Sequence, residues 1–140
     1  MDMVYPMFTL VLWTFIVMFI LGGSRLYSVF KREVKPQYYR LFSGEYAPDY
    51  VLKPSRNFSN LLEIPVLFYV VGILFIVSGL QRDSAMMMAW SYVALRVVHS
   101  LIHLSYNHPL HRLAVFAVSG LVLLAMWIEL IVGLSAGAGF

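Results

Sequence analysis

The chain has 140 residues, of which 61% are hydrophobic and only 12% are charged. A small soluble domain of this composition could not hide its apolar surface from water, so a lipid bilayer is the expected solvent. The absence of cysteine excludes disulfides, protein thiol chemistry and cysteine-ligated metal sites. The formal charge of +3 is concentrated beside apolar segments, which favours membrane lipid over nucleic acid as a partner.

Four apolar segments follow one another, each long enough for a helix to cross a bilayer core of roughly 30 Å. The N-terminus lacks the basic region and cleavage site of a signal peptide, so the first segment is expected to remain in the mature protein. The sequence therefore predicts an all-α membrane protein, a four-transmembrane-helix bundle forming a single domain over residues 1–140. The predicted spans are approximately residues 4–23, 60–80, 84–106 and 113–134.

The connections between these spans differ in charge. Residues 24–59 carry seven of the 10 basic residues of the chain against three acidic ones. The second connection contributes only Arg82 and Asp83, whereas the third contains Arg112 and two histidines. By the positive-inside rule, the first and third connections lie in the cytoplasm and both termini lie on the other side of the membrane.

Polar residues recur at helical spacing at the start of the second span. Arg56, Asn60 and Glu63 are at positions i, i+4 and i+7, which places them on one face of a helix. Ionisable groups at this depth cost at least a few kcal/mol on insertion scales, so they should face a bundle interior, a subunit interface or a wet cavity. A functional site is the first interpretation of such a group.

The third span carries a second polar face. Arg96, His99 and His103 are at i, i+3 and i+7, and Tyr92 and Tyr106 are predicted to extend that face in either direction. Because consecutive spans are antiparallel, both polar faces are expected at the cytoplasmic level, where they can meet. The arginines at this level outnumber Glu63, which favours an anionic ligand.

Two other interpretations of these residues remain open. Glu63 could neutralise Arg96 across the helices while Asn60 and the histidines donate packing hydrogen bonds. His99 and His103, one helical turn apart, could ligate a metal or haem. No carboxylate or cysteine completes such a set on that helix, so no metal is expected.

The pattern Arg56-x-x-x-Asn60-x-x-Glu63, followed by Pro65, resembles the second-helix motif of the membrane-associated proteins in eicosanoid and glutathione metabolism, the MAPEG superfamily. Arg96-Val-Val-His99 with a ring residue at His103 resembles the third-helix pattern of its prostaglandin E synthase branch. The resemblance covers essentially the whole chain and is greatest to small bacterial members, which implies a bacterial inner-membrane protein. His103 departs from it, since the enzymes present tyrosine there.

The resemblance implies a homotrimer that holds glutathione between subunits, while a lipophilic small molecule arrives from the membrane. Arg112 stands where that branch carries its thiol-activating arginine, so it is the candidate catalytic residue. The other candidate binding residues are Arg25, Arg56, Asn60, Glu63, Arg96, His99, His103 and Tyr106.

Three functions follow from these considerations. The first is a glutathione-dependent transferase or peroxidase acting on hydrophobic electrophiles or lipid peroxides. The second is a non-enzymatic lipid-binding or scaffold protein, as the lipoxygenase-activating branch of the family implies. The third is a small metal- or haem-dependent membrane protein that uses His99 and His103.

Overall fold

The computed structural model describes residues 2–42 and 47–137. Within these ranges the chain is helical without strands, and four helical segments are long and apolar enough to cross a membrane. They are α1 (Val4–Phe30), α3 with α4 (Asp49–Glu63 and Pro65–Val77), α5 (Asp83–Leu104) and α6 (Pro109–Gly137), and a short helix α2 (Tyr38–Leu41) lies in the first connection. The predicted four-helix membrane bundle is confirmed.

The helix ends differ from the ends of the apolar segments. α1 continues to Phe30, and α6 begins at Pro109, which places Arg112 in its first turns. Proline is well suited to a first helical position because the N–H that it lacks would have no partner there. A hydrophobic segment defines the part of a helix inside the hydrocarbon core, and polar turns extend the same helix towards the headgroups.

The second span is interrupted where α3 meets α4. Pro65 is the first residue of α4, and because it has no N–H it cannot complete the helical hydrogen bond to the carbonyl of Leu61. The interruption separates the polar α3 from the wholly apolar α4. Glu63 therefore lies at the very end of α3.

The core of the bundle runs along α5, which contacts α1, α3 and α6 and is the most buried of the four spans. Phe68 and Tyr92 are fully buried there, with their rings stacked at a centroid distance of 4.7 Å. Gly72 allows α1 to approach α4 closely, since a Cβ atom there would lie 2.7 Å from Sδ of Met7. Large apolar side chains are exposed along every span, as a lipid-facing surface requires.

Candidate functional site

A cavity of about 340 Å³ lies between α3, α5 and the first turns of α6. It exists because α6 packs along α5 and contacts α4 but leaves a gap beside α3. Three polar and three apolar residues line it: Asn60, His99, Arg112, Pro109, Leu113 and Phe116. The lining can therefore hold a polar group against an apolar wall.

Arg96 lies beside this cavity and is only 1% exposed. Its Cζ atom is 4.9 Å from the ring centroid of Phe116, which lines the cavity, and 5.1 Å from that of Tyr92. None of its three guanidinium nitrogens has a hydrogen-bond partner among the described residues. A buried charge without a counter-charge costs several kcal/mol, so this side chain needs a partner.

Glu63 does not supply that partner, so the interpretation in which it neutralises Arg96 within one protomer is wrong. Glu63 is exposed, and the reason is the orientation of α3. Its buried face carries Val51, Pro54, Asn57 and Leu61. Because successive helical residues are about 100° apart, the face with Arg56 and Glu63 is turned away from this buried face.

Among the described residues, one hydrogen bond joins the two predicted polar faces. The amide Nδ2 of Asn60 lies 3.4 Å from Nε2 of His103, which it reaches as a donor when that ring nitrogen is unprotonated. The rings of His99 and His103 follow each other along α5 with centroids 5.9 Å apart. Asn60 is half-buried, whereas Arg56 and Glu63 are exposed, so the middle residue of the α3 face makes the hydrogen bond to α5.

Arg112 contributes to the cavity from α6. Its Nη1 donates to Oδ1 of Asn107 at 2.9 Å, and its buried Nε has no hydrogen-bond partner in the part of the chain that the structure describes. The N-terminus of a helix carries a partial positive charge, so a cation in its first turns is unfavourable by itself. An anion in the cavity would be stabilised both by the guanidinium of Arg112 and by the N-terminus of α6.

Arg25 lies outside the cavity, at the end of α1. Its Nη2 donates to Oγ of Ser55 at 3.4 Å, and its Cζ lies 5.6 and 5.3 Å from the ring centroids of Tyr39 and Phe42. The side chain therefore joins α1 to α3 and to the first connection. Its Nε is buried and has no partner within the described part of the chain.

Tyr106 also lies outside the cavity. The prediction that it extends the helical face of Arg96 is wrong, because α5 ends at Leu104. Tyr106 is exposed, and its hydroxyl lies 3.0 Å from Nδ1 of His111.

A buried polar pair beside the cavity was not anticipated from the sequence. The amide Nδ2 of Asn57 donates to Oγ of Ser100 at 2.6 Å, and both residues are fully buried. Within residues 2–42 and 47–137, Oδ1 of Asn57 and Nδ1 of His103 have no hydrogen-bond partner. Ser100 could have been found, because it follows Arg96 by four residues and so shares its helical face.

Within residues 2–42 and 47–137, no group of three or more histidine, aspartate, glutamate or cysteine side chains is placed to hold a metal ion. His99 packs beside an aromatic ring, since the ring centroids of His99 and Phe116 are 5.8 Å apart.

Fold and cavity together define a multi-pass α-helical membrane protein with a cationic cavity at one end of the bundle. The sequence model of the MAPEG family matches residues 3–132, which includes every predicted site residue. The chain therefore belongs to the MAPEG family, and it is a membrane protein of the type that serves glutathione and eicosanoid metabolism. No curated protein and no solved structure matches the chain.

Proposed function

We propose that this protein is a glutathione-dependent transferase or peroxidase that acts on lipophilic electrophiles or lipid peroxides. The observation that carries the proposal is the buried guanidinium of Arg96, which has no hydrogen-bond partner in the described chain. It lies beside a cavity lined by a second arginine, Arg112, and by no acidic residue among the six that line it. Such a site favours an anion, and glutathione carries two carboxylates and a thiol.

The binding residues would act on different parts of the tripeptide. Guanidinium groups bind carboxylates through two parallel hydrogen bonds, a role that suits Arg96, Arg56 and Arg25. Asn60 and Glu63 would bind the amide and amine groups of the tripeptide. The histidines of α5 would then form the wall against which the ligand packs.

The exposed ends of the α3 polar face support a site between subunits. Arg56 and Glu63 are exposed on the surface of the protomer, and charged groups within a membrane-spanning segment are ordinarily covered by protein or face water. In the proposed homotrimer, a neighbouring subunit covers them and completes the glutathione site. Native mass spectrometry in detergent tests this assembly, which a monomer would contradict.

The proposed chemistry begins with the thiol. A guanidinium beside the sulfur stabilises the thiolate, and this supplies the nucleophile that a chain without cysteine cannot provide. We assign this role to Arg112, which lines the cavity from the first turns of α6. In a transferase step, the thiolate would form a carbon–sulfur bond while the bond to the leaving group breaks and that group departs with the electron pair. In a peroxidase step, two glutathione molecules would be oxidised to the disulfide while the oxygen–oxygen bond of the peroxide is cleaved to give an alcohol and water.

The proposed location is a bacterial inner membrane, with the cavity at the cytoplasmic level and both termini on the opposite side. The supporting feature is the basic first connection. Reporter fusions to the C-terminus test this orientation, because a reporter active only in the cytoplasm should be inactive there.

A second candidate is a non-enzymatic lipid-binding or scaffold protein. It is favoured by the apolar half of the cavity wall, formed by Pro109, Leu113 and Phe116. In this case the cavity would hold a lipid without reaction. It predicts lipid binding without formation of a thiolate from added glutathione.

Isothermal titration with glutathione tests the proposal. We expect saturable binding to the wild type and its loss in Arg56→Ala and Glu63→Gln, with Arg82→Ala, an exposed arginine of the second connection, as the control. Unchanged binding in both variants would exclude these residues from the site.

Arg112→Ala should retain glutathione binding but fail to produce the thiolate absorbance at about 240 nm. A thiolate that still forms in this variant would exclude the proposed role of Arg112.

A further inference from the structure

Asn107 lies in the connection between α5 and α6 with a backbone φ of 53°. This left-handed conformation is one that asparagine adopts more readily than most residues other than glycine. The N–H of Asn107 donates to the carbonyl of Ile102 at 2.8 Å, which closes the end of α5. The backbone of Asn107 therefore ends one helix before Pro109 begins the next.

The side chain of Asn107 has a separate contact. Its Oδ1 accepts the hydrogen bond from Nη1 of Arg112 at 2.9 Å. This is the only hydrogen bond of the Arg112 side chain among the described residues, and its buried Nε has none. A long, flexible cation at the edge of a cavity is thus held by one short neutral acceptor.

We infer that Asn107 is the positioning residue that holds the Arg112 guanidinium in the cavity. This inference rests on the proposed function in one respect, since the guanidinium is positioned for a thiol only if a thiol binds there. A neutral acceptor suits the task. It orients Arg112 and leaves intact the positive charge that would stabilise an anion. A carboxylate in the same place would cancel that charge.

Two substitutions separate the backbone role of Asn107 from its side-chain role. Asn107→Gly keeps the left-handed backbone, because glycine adopts it without steric cost, but removes the acceptor. Asn107→Asp keeps the acceptor but adds a negative charge beside Arg112. Arg32→Gly is the matched control, since Arg32 is an exposed residue that also has a positive φ, of 58°, and lies in the first connection.

The first measurement is the pKa of glutathione bound to the purified protein in detergent, read from thiolate absorbance against pH. We expect Asn107→Gly to raise this pKa by about half a unit to one unit, the equivalent of one hydrogen bond. Asn107→Asp should raise it further, because its carboxylate offsets the guanidinium. Arg32→Gly should match the wild type.

The second measurement needs no glutathione. The rate at which phenylglyoxal modifies Arg112, followed by peptide mass spectrometry, should rise several-fold in Asn107→Gly and stay at or below the wild-type rate in Asn107→Asp. If the wild-type protein does not lower the thiol pKa of glutathione, the proposed function is contradicted. The modification rate of Arg112 would still test whether Asn107 positions its guanidinium. A wild-type modification rate in Asn107→Gly would overturn the inference.

Discussion

The two ends of the bundle are built differently. At the end where α4 meets α5, the backbone N–H of Met3 donates to Oε1 of Gln81 at 2.8 Å, and Ser84 donates to Glu129 at 2.5 Å. At the other end, the guanidinium of Arg96 and the Nε of Arg112 are buried and have no hydrogen-bond partner among the residues that the structure describes. The difference between the ends therefore lies in the two arginines, whose guanidinium groups are not fully hydrogen-bonded among the described residues.

The packing follows the same division. Beside Gln81, small residues bring helices together: a Cβ atom on Gly133 would lie 2.9 Å from Cδ1 of Leu80, and Gly72 meets Met7. At the opposite end α6 leaves a gap beside α3, and the cationic cavity occupies it. One end holds the bundle together through close packing, and the other contains a buried charge whose cost the proposed ligand would offset.

Arg96→Met should have the largest effect. It removes one of the two positive charges at the cavity end with little change in side-chain length, and glutathione affinity should fall by about 10- to 150-fold, because a hydrogen bond to a charged group contributes roughly 1.5–3 kcal/mol. Calorimetric titration measures this. Arg82→Met, on an exposed arginine near the other end, should bind as the wild type does, and equal loss in both variants would contradict the difference between the ends.

Gly72→Leu should destabilise the closely packed end by about 1–3 kcal/mol, the usual range for overpacking. The added side chain meets Met7 and Met3, so the unfolding temperature in detergent should fall. Gly22→Leu is the matched control, because a Cβ atom there has nothing within 4 Å. Similar unfolding temperatures for the two variants would show that α1 and α4 are not held by this contact.

Asn57→Ala should lower stability by about 1 kcal/mol, since interhelical hydrogen bonds in membranes contribute roughly 0.6–2 kcal/mol. It removes the donor to Ser100 between α3 and α5. Ser59→Ala, at an exposed position of the same helix, is the control in thermal unfolding. A loss of stability in Ser59→Ala as large as that in Asn57→Ala would show that the loss does not come from the hydrogen bond between Asn57 and Ser100.

Glu129→Gln should have the smallest effect. Glutamine can still accept the hydrogen bond from Ser84, and Glu129 lies at the end remote from the cavity, so stability should change by less than about 0.5 kcal/mol, as at other tolerant positions. Glutathione affinity should not change. A loss of affinity on titration would mean that both ends of the bundle take part in binding.

The fold could be predicted because a bilayer admits few backbone structures. Within the hydrocarbon core, every backbone N–H and C=O group needs a partner in the protein, and a long apolar segment satisfies this requirement by itself as a helix. Helical spacing also placed Arg96, His99 and His103 correctly on one buried face of α5. These features depend only on local sequence and on the solvent, so a single sequence contains them.

The remaining details depend on tertiary packing, which spacing does not report. The rotation of α3 is set by the buried face that contains Val51 and Pro54, and it leaves Glu63 exposed instead of paired with Arg96. The end of α5 depends on the left-handed backbone of Asn107, and it removes Tyr106 from the polar face. Residue spacing alone could indicate neither the rotation of α3 nor the end of α5.

The most direct test compares the unfolding temperatures of the wild type and Arg96→Met, each with and without glutathione. Without ligand, Arg96→Met should be at least as stable as the wild type, because it removes an unpartnered buried charge. Glutathione at a hundredfold excess over the wild-type Kd should then stabilise the wild type by about 2.7 kcal/mol and Arg96→Met by about 1.4 kcal/mol or less. A ligand-free Arg96→Met that unfolds earlier, with equal stabilisation of both proteins by glutathione, would contradict the account.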